Sequence, residues 1–357
     1  MKRLSLGIVG CGAVSQVQHL PNLMHLRDEF SVDIVCDRSP GLGAWAAAQF
    51  NVPRRNEDYR DVLDSGVDAV LLCHTDPKTQ VAVEAFGAGK HVFIEKPVCF
   101  SLQEMDRILA AREKAGTVGQ AGYMKVYDPA FEMARRRVRT MDTVRYVQAN
   151  HLHVDNRLHL AQLNLVRFDD LPADALEDAA RARAAAAEQA VGPVEPAVQG
   201  AFFRLAGSAI HDLYGLRALF GPPEKVVSTE VWNDGWGLHS VLQYPGDVRC
   251  AYTWVELPKL WDFRETLEVY GDDCRVLLSY PSGFSPGIPS TLVLQGIDAE
   301  GTSYRQEPAV PWDNAFTNEL RHFHACITAG ESCRTPLDEA RHDIALIIDM
   351  VKASGRA

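Results

Sequence analysis

The chain has 357 residues, 46% of them hydrophobic and 23% charged, and a net charge of −11. This is length enough for two domains with cores of their own, and the acidic balance disfavours nucleic acid and anionic membrane as partners, since both require a basic face. No apolar run reaches the roughly 20 residues of a membrane helix. The N-terminus leads straight into a predicted strand, a pattern that predicts no signal peptide. The eight cysteines form no C-x-x-C and read as reduced core thiols of a cytoplasmic protein, not as a disulfide or zinc framework.

In chain order, Leu4, Leu6, Ile8 and Val9 read as a buried parallel strand that runs into Gly10-Cys11-Gly12-Ala13-Val14-Ser15 and an apolar helix with Val14, Val17 and Leu20. Such a turn brings backbone N–H groups and a helix N-terminus to a pyrophosphate with no side chain in the way. Ser15 stands where G-x-G-x-x-G has its third glycine, so the pattern also suits an ordinary Gly-rich strand-to-helix turn. Val32, Ile34 and Val35 form a second strand ending in Cys36-Asp37-Arg38, where a βαβ unit places the acid that binds a ribose diol. The Asp37 carboxylate accepts from a 2′-hydroxyl and repels a 2′-phosphate, which points to NAD; the Arg38 guanidinium pairs with phosphate and keeps NADP open. Residues 67–73 (VDAVLLC) are a third buried strand, followed by His74 and Thr75, and residues 89–97 (GKHVFIEKP) contain a fourth that ends in Glu95-Lys96-Pro97.

Residues 1 to about 122 thus alternate strand and helix, which predicts a doubly wound parallel sheet of the Rossmann α/β class. Beyond Val144, strand-like alternation recurs at 144–154, 225–233, 238–246, 248–257, 263–270, 273–280 and 290–297, with turn signals such as Asn233-Asp234-Gly235 between them. Short turns between consecutive strands predict an open, mostly antiparallel sheet in an α+β domain over 123–357. A helix over about 207–220, substrate and another subunit would cover its faces, making a homodimer or homotetramer. Helices at about 313–329 and 337–354 would pack back on the first domain. One segment, 171–198, fits neither pattern: its alanine run (AARARAAAAEQA) favours helix, and Gly192-Pro193 and Pro196 end it. It reads as a surface helix decorating the sheet domain, or as a lid over the substrate.

The Gly-rich opening together with the strand ending in Glu95-Lys96-Pro97 resembles the glucose–fructose oxidoreductase / inositol dehydrogenase / MocA family. The resemblance extends to residues 122–129 (GYMKVYDP), the family's crossing into its second domain, to residues 211–221 (HDLYGLRALFG), its central helix with a catalytic histidine, and to residues 336–354 at the closing helix. It implies NAD or NADP bound by Gly10, Gly12, Ala13, Val14, Asp37, Arg38, His74, Thr75, Glu95 and Lys96, with Lys96 near the nicotinamide and the substrate hydroxyl. A lysine there, at the end of a buried strand beside a cationic ring, should have its pKa lowered by desolvation and like charge. His211 falls at the family's histidine, and imidazole suits a general acid or base.

Three departures stand out. The acid that the family carries four residues before the histidine is Gly207 here, and the one three residues after it is Tyr214. Asp212 is the nearby carboxylate, but adjacent helical residues point about 100° apart, so it cannot take the missing acid's position. Gln80 stands where many relatives have histidine. Lys125 and Tyr127 read as donors to substrate hydroxyls, and Asp212 as a further substrate-binding residue. His151, His153 and Asp155 alternate on one face of a strand, where substrate hydrogen bonding or an interface is expected rather than metal; His159 falls beyond the strand end.

The reading is an NAD(P)-dependent oxidoreductase acting on a secondary alcohol or ketone of a sugar, cyclitol or related polyhydroxylated ring, with Lys96 and His211 as proton carriers. Two alternatives stay open: an enzyme that uses tightly held NAD transiently for elimination, hydrolysis or epimerisation, and a catalytically silent nucleotide-binding protein.

Overall fold

The computed structural model describes residues 2–75 and 77–355. The chain opens with β1 (Leu4–Val9), α1 (Leu20–His25), β2 (Phe30–Cys36), α2 (Pro40–Gln49), β3 (Arg54–Asn56), α3 (Tyr59–Leu63), β4 (Ala69–Leu72), α4 (Thr79–Gly87), β5 (His91–Glu95), α5 (Leu102–Ala115) and β6 (Gly119–Gly122). These strands pair in parallel in the order β3-β2-β1-β4-β5-β6. Helices cover both faces of such a sheet, which is why β4 is buried at every residue and reads as an unbroken apolar run. The strand order reverses between β1 and β4, the switch point at whose carboxyl ends doubly wound sheets bind ligands.

The chain continues with α6 (Pro129–Val138), β7 (Val144–His153), α7 (Asn156–Leu160), α8 (Ala173–Val191), α9 (Pro196–Arg204) and α10 (Ile210–Phe220). Then come β8 (Lys225–Trp232), β9 (Gly237–Tyr244), β10 (Val248–Glu256), β11 (Arg264–Gly271), β12 (Cys274–Tyr280), β13 (Thr291–Ile297), β14 (Ser303–Gln306), α11 (Ala315–Thr328) and α12 (Leu337–Lys352). Strands β7 to β14 form one sheet, ordered β14-β13-β12-β11-β7-β10-β9-β8. Its neighbours are antiparallel apart from β7 and β10, which run parallel. Alternate residues of β10, β11 and β12 are buried, so this sheet has one packed face and one open one.

The chain divides into two compact units. The first comprises Met1–Tyr123, Leu163–Ala190 and Phe316–Ile344; the second comprises Met124–Gln162, Val191–Ala315 and Ala345–Ala357. In the first unit, Leu4, Leu6, Ile8, Leu71 and Phe93 of the parallel sheet share a core with Leu320 and Phe323 of α11. The alanine-rich segment is α8, and it lies in this unit instead of decorating the antiparallel sheet. Its Gln189 accepts from Ser101 Oγ at 2.9 Å, and the Arg183 guanidinium lies 5.7 Å from the Phe100 ring centre. Seven cysteines are buried and Cys333 is partly exposed, with no disulfide among the described residues. No described helix is long and apolar enough to cross a membrane.

Candidate cofactor and acid–base sites

The glycine turn after β1 is built by a close approach from β4. Gly10 has φ +97°, and a Cβ on it would come within 2.4 Å of the His74 backbone, so only glycine fits. Gly12 is the opposite case: a Cβ there meets nothing within 4 Å, and the turn is open on that side. A branched side chain at Gly12 would fill the cradle where a pyrophosphate meets backbone N–H groups. Ser15 is fully buried and turns its hydroxyl onto the Gly10 carbonyl at 2.5 Å, which is how serine serves at the third glycine position. Asp37 accepts Cys11 N–H at 2.8 Å on Oδ2 and Ser39 N–H at 2.9 Å on Oδ1. Each oxygen thus keeps a lone pair, and the held carboxylate fits a ribose diol. These residues fit a dinucleotide.

Behind the end of β5 lies a charged layer in which Glu95 and Lys96, expected from the sequence, are joined by His19, Lys78 and Glu319, which were not. Glu95 is gripped by His19 Nε2 at 2.7 Å and by the backbone N–H of Lys96 at 3.0 Å. Burial opposes ionisation of Glu95, but the His19 hydrogen bond and the charges of His19, Lys96 and Lys78 outweigh it and hold its pKa below the usual carboxylate value. Lys78 is buried and donates to Pro97 O at 3.1 Å. Glu319 of α11 is wholly buried, and neither of its carboxylate oxygens has a hydrogen-bond partner among the described residues. Burial, and then the charge of Glu95, push its pKa well up. Lys96 itself is half-buried at the strand end. The hint in the sequence was a polar pair, Gln18-His19, inside an apolar helical stretch.

In the second unit, the register of three central strands sets Glu265, His151 and Trp254 side by side across β11, β7 and β10. His151 Nδ1 donates to Asp212 Oδ2 at 2.9 Å, and Tyr252 OH donates to the same oxygen at 3.0 Å. Burial disfavours the Asp212 charge, yet the charge and hydrogen bond of His151, with Lys125 and Tyr252, keep its pKa low. Because Nδ1 faces that carboxylate, the other ring nitrogen of His151 faces His153 Nδ1 at 3.2 Å and Ser208 Oγ at 3.4 Å. Trp254 Nε1 donates to Ser208 Oγ at 3.1 Å, and its ring stacks on His153. Lys125 pairs with Glu265 and lies over the Tyr280 ring. His151, Asp212 and Glu265 present ligand atoms within 4.8 Å of one another, and the Lys125 ammonium pairs with Glu265 at this cluster.

The other expected residues fall as follows. His211 stands on the first turn of α10, half-buried, with Nδ1 at 2.8 Å from Tyr214 OH. Tyr214 also accepts Lys125 N–H at 3.2 Å. Asp212 serves His151 on β7, consistent with the 100° helical offset from His211. Tyr127 is buried in the turn that precedes α6. Asp155 does not join the two histidines: it caps α7 and pairs with Arg157. His159 lies on α7, its ring edge-on to Phe263. Arg38 and Thr75 are exposed, and Gln80 bonds Glu84 and Arg107 on the surface of α4. Glu265 and Ser208 were not anticipated, because only strand register and a π-helical turn at Leu205–Ala209 bring them to His151.

A profile of the oxidoreductase family with an NAD-binding Rossmann fold (GFO_IDH_MocA) matches residues 4–123. The match is to that family's NAD-binding domain and covers about a third of this chain. An uncharacterized oxidoreductase of Bacillus subtilis, YrbE, is 36% identical over 135 residues, which are 37% of this chain and 38% of that protein. The scyllo-inositol 2-dehydrogenase (NAD(+)) of the same organism is 29% identical over 133 residues, 37% of this chain and 39% of its own length. The matched stretch therefore spans well under half of these relatives. The crystal structure of a 3-ketoreductase from Actinomadura kijaniata in complex with NADP superposes with a TM-score of 0.74 at 15% identity, over 99% of this chain and 98% of that one. The likeness is one of fold, and it covers both the parallel and the antiparallel sheet.

Proposed function

We propose that the protein is an NAD-dependent oxidoreductase acting on a secondary alcohol or ketone of a cyclitol, sugar or related polyhydroxylated ring. The observation that carries this is a buried polar row, Lys125, Glu265, His151 and Asp212, in a chain that also carries the Gly10–Asp37 nucleotide cradle. Ammonium, carboxylates and imidazole alternate donors with acceptors, which suits vicinal hydroxyls that must both donate and accept. The His153–Trp254 stack adds an apolar face for a ring. The inositol dehydrogenase among the relatives supports the same substrate class.

When bound, the nicotinamide supplies or accepts the hydride. We assign the hydroxyl proton to Lys96 Nζ, at the end of β5 and backed by Glu95, His19 and Lys78, with His211 as the second proton carrier. Lys125, Tyr127, His151, His153 and Asp212 are assigned to substrate hydroxyls, and the active form is a homodimer or homotetramer. The lack of an acid at Gly207 favours, as a second reading, an enzyme in which tightly held NAD is reduced and reoxidised within one turnover. A panel of cyclitols and sugars assayed with NAD and NADP tests both: substrate-dependent accumulation of NADH supports the first, conversion without net NADH the second. Dinucleotide binding with no turnover of any panel member overturns both.

A further inference from the structure

The segment leading into α8 makes its bonds to the two elements of the first unit that would hold the adenosine half of a cofactor. The Gln16 side chain, in the turn that follows the glycines, accepts Val166 N–H at 3.0 Å and donates to Val166 O at 3.1 Å and Cys11 O at 2.9 Å. Four residues on, Asp170 sits on the N-terminus of α2: its Oδ2 accepts Gly41 N–H at 2.7 Å, and its Oδ1 accepts the Ser39 hydroxyl. Phe168 closes over the same turn, so near that a Cβ on Gly41 would lie 2.5 Å from its ring. Since α2 directly follows Asp37-Arg38, these donors lie beside the carboxylate that reads the ribose. Together with exposed Arg38 they are the groups that a phosphate on the ribose 2′ oxygen would use.

We propose that Asp170 is a second selectivity carboxylate, which fills that anion position from within the chain and so excludes a dinucleotide bearing a 2′-phosphate. The inference rests on the reading of Gly10–Asp37 as the nucleotide site. Asp37 alone leaves selectivity incomplete, because Arg38, Ser39 and the Gly41 N–H could together receive a phosphate. With Asp170 in place the neutral donors are taken and the phosphate meets a second negative charge. A 2′-hydroxyl carries no charge and still donates to Asp37.

The test is fluorescence titration of the full chain with NAD and with NADP, for wild type, Asp170→Ala, Asp170→Asn and Asp170→Glu, with folding checked by circular dichroism. The wild type is expected to prefer NAD. Asp170→Ala and Asp170→Asn should each shift the NADP/NAD affinity ratio toward NADP by about tenfold, the scale of one partly screened charge contact. The gain should come from tighter NADP binding and shrink with added salt, while Asp170→Glu keeps the preference for NAD. Should Asp170→Ala fail to fold, the near-isosteric Asp170→Asn decides. NAD binding with a ratio unchanged in the folded variants overturns this proposal and leaves the nucleotide reading intact. Wild type that prefers NADP also overturns it, and wild type that binds neither dinucleotide overturns the nucleotide reading and this proposal together.

Discussion

Asp212 and His151 are 61 positions apart in sequence and one hydrogen bond apart in space, so each should lose its function when the other is removed. Asp212→Asn and His151→Ala are expected to lower turnover by similar factors, about 10²–10⁴ if the imidazole handles a proton. The double variant should be little worse than either single one, because both break a single unit. Losses that multiply in steady-state assays would show that the two side chains act separately. Lys96→Ala is expected to reduce the chemical step by about 10²–10⁴, and His211→Ala by less, since Gly207 stands in place of the acid one helical turn before it and Tyr214 OH meets its Nδ1. An equal or greater loss on His211→Ala would make the histidine the principal proton carrier. At this scale Lys96, His151 and His211 were legible as candidates because each sits in a local pattern. The role of Asp212 was not: helical periodicity shows where it cannot point, but its true partner comes from a strand that only the fold brings close.

Glu319 couples α11 to the charged layer behind β5, and the coupling has a sign. Its pKa is raised in the folded state by burial and by Glu95. The folded protein therefore holds a proton that the unfolded chain releases once pH passes the ordinary carboxylate range. Stability must then fall as pH climbs from that range toward the raised value. Glu319→Gln, which keeps the shape and cannot ionise, should flatten this dependence, so that its melting temperature gains on wild type between about pH 5 and pH 8. Parallel melting curves would mean that Glu319 titrates normally. Elements were legible where alternation or an unbroken apolar run marked them, as in β4, β7 and β10 to β12. The strand β3 escaped because its three residues are exposed and polar, and β14 because its four carry no apolar period. The helix at α8 was legible from its alanines. Its attachment was not, since nothing in a run of small residues says which surface they will meet.

For the molecule as a whole, the open face of the antiparallel sheet carries the oligomer proposal. Tyr146, Gln148, Asn150 and Leu152 of β7 lie on the face opposite Val147, Ala149 and His151, and are only half-buried. A mixed face of this kind spread over an eight-stranded sheet suits a twofold contact with its own copy. Light scattering at micromolar concentration should report a dimer or tetramer, and a monomer would remove the sheet-to-sheet contact. The two sheet classes were legible from how the strands are connected. The composition of the first unit was legible only in part: the C-terminal helices were expected there, whereas residues 163–190 were not.

That composition bears on how the protein is made. Leu320 and Phe323 share the core of the parallel sheet with Leu4 and Phe93, and Thr335 accepts the Ala121 N–H on β6 with its carbonyl and donates its hydroxyl to the Ala121 carbonyl. During synthesis the glycine turn leaves the ribosome early, but the wall that completes its sheet arrives only after more than three hundred residues. A nascent chain halted before α11 would display Phe93 and the edge of β6 uncovered, the kind of surface that chaperones hold and proteases find. Residues 1–123 expressed alone should accordingly give a protease-sensitive species that binds nucleotide weakly. Supplying residues 316–344 as a separate peptide should restore both compactness and binding. If 1–123 alone proves as protease-resistant and as tightly binding as the full chain, the late-arriving helix is an ornament and the nucleotide fold completes itself.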